Sequence, residues 1–185
     1  MIKFGRSIPD VAVTSSTAWK AADAALARPA DATATVIGGA IGSGTSALFK
    51  FSNFFEDKGA HALLTGLKLV ISGAGIAAPA SMAIRAHLYS ADVSGVVLSA
   101  NADKGTWKSM LAAQGDALGY VDFSTFIVGG AGSDAVVGFG VPVVSPMHLR
   151  AADDAKDLFA ILVATAVYTP VNAGVHTLFA SRAAL

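Results

Sequence analysis

Four histidines, His61, His87, His148 and His176, are the residues best suited to metal or proton chemistry, but no two are spaced as HxxxH or HxH. His87 and His176 each sit in an alternating stretch and are expected as core or interface residues. The run Asp153-Asp154-Ala155-Lys156-Asp157 could attract a cation. It lacks the regular oxygen spacing and terminal glutamate of an EF-type loop, so it reads as a solvated turn. Asp92, Asp103, Asp116 and Asp122 form a pool of carboxylates that only folding could bring into an acid–base pair. No serine stands in a GxSxG elbow. With no cysteine in the chain, disulfides, thiolate metal sites and cysteine nucleophiles are excluded.

The glycine-rich stretch GGAIGSGTSALF (38–49) comes nearest to a ligand-binding motif. Gly39 to Thr45 has the glycine spacing of a phosphate loop, but Thr45 stands where the lysine must be, leaving phosphate charge without its partner. Gly42 to Ala47 also fits a relaxed dinucleotide fingerprint. The residues after it, LFKFSNFF, alternate like a strand where a helix is required. A turn is the expected structure, and likewise for Gly73-Ala74-Gly75 and Gly129-Gly130-Ala131-Gly132. No catalytic residue, cofactor site or metal site is assigned, and the chain is not read as an enzyme.

The elements that would position these residues are strands. Period-2 alternation appears in 47–54, 63–73, 81–91, 119–128, 135–144, 157–169 and 174–183, separated by Gly, Pro, Ser, Asp and Asn. In 81–91, Met82, Ile84, Ala86 and Leu88 are expected in the core, with Arg85, His87 and Tyr89 outward or against a partner. Residues 106–115 read as a short helix or turn. Seven or eight strands at short intervals describe an all-β antiparallel sandwich, with a jelly roll preferred among sandwiches and barrels. Before them, residues 1–30 form an N-terminal arm, small and polar, with Trp19 its one large anchor; residues 18–27 suit either a short helix or an extended segment. The folded domain is placed at 31–185.

At 185 residues the chain suits one domain, large enough to bury about 70% of its unfolded surface. Thirteen basic residues balance thirteen acidic ones, which argues against a nucleic-acid surface. Only 14% of residues are charged, against about 25% in ordinary soluble domains. Such a surface is expected to be covered by other subunits. The opening MIKFGRSIPD lacks the apolar stretch of a signal peptide. Residues 158–179 are apolar enough to invite a membrane reading, but Thr169 to Gly174 is turn chemistry, so two strands joined by a turn are expected and no membrane contact.

Several stretches together resemble the decoration (cement) proteins of tailed-bacteriophage capsids: 27–54, with its Arg28-Pro29 lead-in; 82–105; 118–126; and 157–185, with Tyr168-Thr169-Pro170. The sequence departs from the family's pattern at Tyr89, Val93 and Asn101-Ala102-Asp103. The resemblance implies a jelly-roll-like sandwich, commonly a homotrimer, on the outer surface of the virion, with an extended arm reaching neighbouring copies of the major capsid protein. Phe4, Arg6, Trp19 and Arg28 are the arm residues expected to touch the shell. The alternative is a carbohydrate-binding jelly-roll module of a phage head-fibre or receptor-binding protein, with Trp107 and Tyr120 as its sugar platform.

Overall fold

The run Leu158–Ala164, LFAILVA, has no polar residue and is buried at every position, as a strand covered on both faces must be. The rest of the fold is arranged around it. The computed structural model describes residues 19–28, 35, 37–43, 46–72, 83–98, 104–108, 113–128, 135–142, 146–167 and 174–184. Among them are strands β1 (Lys20–Ala21), β2 (Leu26–Ala27), β3 (Ala40–Ile41), β4 (Leu48–Phe51), β5 (His61–Ser72), β6 (Ile84–Tyr89), β7 (Ala117–Phe123), β8 (Phe126–Val128), β9 (Ala135–Pro142), β10 (Met147–Arg150), β11 (Leu158–Ala164) and β12 (Val175–Ala184), and one helical turn, α1 (Ser94–Val97).

Every strand pair is antiparallel. In the first sheet β12 and β5 form the centre; β1 and β2 pair with β12, while β9 and β10 pair with β5, and β8 lies beyond β9. The second sheet runs from β3 and β4 through β11 and β6 to β7. The two pack face to face, giving the expected all-β sandwich. Between them lie Phe49, Phe51, Phe54, Leu64, Leu67, Leu69, Ile84, Leu88, Phe123 and Leu178, all fully buried.

Strand β9 belongs to both sheets, pairing with β5 up to Gly140 and with β7 at Val141 and Pro142. At that corner a Cβ on Gly140 would stand 2.6 Å from Val121 Cγ1 and 3.0 Å from the Asp122 carbonyl oxygen. Only a hydrogen fits there. On the opposite side residues 20–27 tie the two sheets together. β1 and β2 lie along β12, and between them the Asp23 N–H donates to the Lys50 carbonyl at 2.7 Å. The Asp23 carboxylate accepts from the backbone N–H and the hydroxyl of Ser52.

A third, partial layer covers the outside of the second sheet. Val93, Val97, Leu98 and Ala113 close over Tyr89, Phe159, Ile161 and Val163, with Trp107 and Leu48 packed at the rim. This layer revises the expectation for β6. Ile84, Ala86 and Leu88 do face the core, but His87 and Tyr89 are buried on the other face and only Arg85 is partly open; Met82 lies outside the described residues.

Three further features that the sequence left open have local causes. Of the two forms that residues 18–27 suit, the extended one is found: residues 20–21 and 26–27 are strands, because each finds an unpaired edge of β12. The two strands expected across 158–179 are present as β11 and β12, but they do not pair with each other: they lie in opposite sheets, β11 between β6 and β4, and β12 between β5 and the N-terminal strands. Strand β10 carries an exposed, polar outer face (His148, Arg150) and only four residues, too short for alternation to announce it.

Candidate interaction face

The outer face of the first sheet carries the candidate site. Its rows follow from register. Thr177 pairs with Val70, Val70 with Val137 and Val137 with Ile127; Phe179 pairs with Lys68 in the next row. All but Ile127 are half-buried, and Ile127 is 60% exposed. Outward positions of an antiparallel sandwich are ordinarily polar. In these two rows Lys68 and Thr177 are the polar residues, among valines, an isoleucine and two aromatic rings, while the polar side chains His61, Thr65, His148 and Arg150 lie towards the other end of the face.

Trp19 lies over this face, at Gly66 and Lys68. Its ring passes over Gly66, where an added Cβ would sit 3.4 Å from Trp19 Cη2. Lys68 Nζ stands 5.3 Å from the Trp19 ring centroid and 4.2 Å from that of Phe179, so the ammonium is shared between two π faces. Trp19 is nonetheless 36% exposed. Gly66 follows a bulge: Ser181 pairs with Gly66 and Arg182 with Leu64, leaving Thr65 opposite no residue. The extra residue switches which side chains point outward, so His61, Leu63 and Thr65 share the outer face with Lys68, Val70 and Ser72.

Of the other expected contact residues only Arg28 can be placed, and it falls elsewhere. Arg28 is described and is 3% exposed, with its N–H donating to the Gly174 carbonyl at 3.1 Å, so its side chain is part of the fold. Phe4 and Arg6 lie outside the described residues.

The second cluster of chemical groups sits on the outer side of β6 and β7. Arg85 forms a bidentate pair with Asp122, Nε to Oδ1 at 2.6 Å and Nη2 to Oδ2 at 2.8 Å. Its guanidinium also stacks 3.9 Å from the Tyr120 ring centroid. Two pairs further along the ladder, on the same face, His87 faces Tyr120. The His87 ring lies against Trp107, centroids 4.0 Å apart and planes 20° from parallel, and Trp107 Nε1 donates to the Tyr89 hydroxyl at 3.2 Å. Burial and then the neighbouring Arg85 charge push the His87 imidazole down to about 4, Asp122 opposing only in part. It is neutral at physiological pH, and its Nδ1 is buried with no partner. Hydrogen bonding to Asp122 strengthens the Arg85 charge in turn. Burial raises the Tyr89 phenol, with Trp107 pulling the other way.

Trp107 and Tyr120, the two aromatics singled out as a sugar platform, are thus brought to one histidine. Each has a ring face taken by another side chain, however: His87 covers Trp107 and Arg85 covers Tyr120.

The remaining candidates resolve into structural roles. Asp92 accepts from the backbone N–H and hydroxyl of Ser94. Asp116 takes a 3.3 Å hydrogen bond from Ser90; Asp103 lies outside the described residues. In the acidic run, Asp157 pairs with Lys50 at 2.9 Å and accepts from the Asn53 N–H at 2.9 Å, while Asp153 pairs with Arg150. A cleft of about 320 Å³ lies between Ser90, Asp116 and Leu118 on one side and Arg150 to Asp153 on the other. Of the glycine-rich stretch, residues 38–43 and 46–49 are described, and they include β3 and the start of β4, two strands on the same side of β11. Ser46 O accepts from Ser43 N at 2.7 Å, and a Cβ on Gly42 would lie 2.3 Å from that same oxygen.

His61 and His148 stack on the outer face of β5 and β10, which neither histidine's sequence context announced. Among the described residues no three metal-ligating side chains gather, and no helix is long and apolar enough to cross a membrane. In comparisons with known proteins the chain matches no protein family, no curated protein and no solved structure.

Proposed function

We propose that this protein is a structural component of a virion, a decoration protein that binds the outside of an icosahedral phage head and strengthens contacts between major capsid proteins. The observation that supports the reading is the outer face of the first sheet, where Trp19 and Phe179 flank Lys68 and the next row continues through Val70 and Val137 to the exposed Ile127. Apolar area of this kind favours association when a second surface excludes water from it. Its low charge extends to the whole chain. A protein acting this way stabilises a shell by mass action, because it binds the assembled form and not its dissociated parts.

The glycan-binding reading ranks behind this one, since a sugar needs an open aromatic face and both Trp107 and Tyr120 already stack on other side chains.

The test is co-sedimentation. Labelled chain mixed with expanded icosahedral heads should sediment with them and saturate at a stoichiometry set by the shell's symmetry. Chain carrying Trp19→Ala and Ile127→Lys should remain in the supernatant. Failure of the wild-type chain to saturate the heads, or equal binding by the variant, overturns the reading.

A further inference from the structure

The stacked histidines suggest a second property, independent of the assembly reading. His61 opens β5 and His148 lies on β10. Register places His148 opposite Leu63 and Arg150 opposite His61, so the two histidines are diagonal neighbours on one face. Their ring centroids are 4.7 Å apart and their planes 20° from parallel. Both are exposed, while neighbouring side chains on the opposite face of the same two strands, Ala62, Leu64 and Leu149, are buried in the core. The two imidazoles therefore stand on a rigid, doubly anchored ladder while their rings remain at the surface.

We propose that His61 and His148 form a two-histidine site for a borderline divalent metal ion of the zinc, copper or nickel class. Imidazole nitrogen suits these ions, whereas calcium and magnesium require oxygen ligands that this pair does not supply. Because both rings are exposed, rotation about their own χ angles brings one nitrogen from each toward a common point at little packing cost. The neighbouring Arg150 is engaged by Asp153, which offsets the nearest positive charge. With two protein ligands, the other coordination positions fall to water or to a group on an adjoining surface. The other two histidines do not compete: His87 is 3% exposed and His176 is fully buried.

Calorimetric titration of the untagged chain with zinc chloride, repeated with copper and with magnesium as the control, tests the site. One zinc ion should bind per chain and magnesium should not. His61→Ala and His148→Ala should each weaken zinc by roughly tenfold or more, at least the loss that even an outer-shell change inflicts on a metal site. Zinc should also raise the melting temperature of the wild type and of neither variant. Both substitutions are at exposed positions, so the variants' melts without metal check that each still folds. Absence of saturable zinc binding, or binding that survives either substitution undiminished, overturns the site.

Discussion

His87 is where a single side chain governs the behaviour of its surroundings. It lies between Trp107 and β7, facing Tyr120, with Arg85 beside it on β6 and Asp122 across the ladder. The folded state holds its imidazole at about 4, below the ordinary value of 6.5. Unfolded chains therefore bind more protons than folded ones between those two values, and stability rises with pH across that window. His87 contributes fully above about pH 6.5, and its contribution is lost as pH falls through 4. The difference corresponds to about 3 kcal/mol as an upper figure. Urea midpoints measured between pH 7 and pH 4.5 should fall in the wild type. In His87→Phe they should fall much less, because phenylalanine has no proton to bind in either state, while its ring keeps the stack on Trp107. The alternation in IRAHLY identified Ile84, Ala86 and Leu88 as core. It said nothing of a third layer over the opposite face, because the residues forming that layer come from loops with no periodicity of their own.

Element by element, what alternation reports well is a strand that is half-buried along its length. Leu67, Leu69 and Ile71 were legible for that reason, and all three are core. Where pairing depends on a partner far along the chain, the sequence is silent. β1 and β2 are two residues each and exist because β12 offers them an edge. β9 looks like any apolar strand, yet it crosses from one sheet to the other, and Gly140 is the place where it does so. Gly140→Ala should be costly, since the new methyl meets Val121 Cγ1 at 2.6 Å and the backbone oxygen of Asp122 at 3.0 Å. Overpacking of this kind costs about 1–3 kcal/mol. Gly95→Ala in α1 is the matching control, because nothing lies within 4 Å of its added carbon; there the change should be neutral or slightly stabilising. Denaturant unfolding of the two variants side by side should separate them clearly.

For the molecule as a whole, the sandwich class could be read from the spacing of apolar runs, whereas the interaction face could not. Trp19 was singled out as an anchor in an arm, but its setting over Gly66, beside Lys68 and Phe179, depends on the bulge at Thr65 and on strands far apart in sequence. The chain's balance of thirteen basic and thirteen acidic residues offers no long-range repulsion between copies. An apolar face on such a surface should therefore draw free copies together where no shell covers it, in competition with docking, and the homotrimer that the resemblance implies is the assembly to test. Light scattering on the purified chain should then return three times the 18.6 kDa of one copy. Because the attraction is apolar, added sodium chloride should not dissociate the assembly and sulfate should strengthen it. Ile127→Lys combined with Val70→Lys places two further cations beside Lys68, and should return the mass to that of a single copy. A wild-type mass of one copy at every concentration would exclude self-association through this face. Dissociation by salt would instead assign the contact to charged groups elsewhere on the surface.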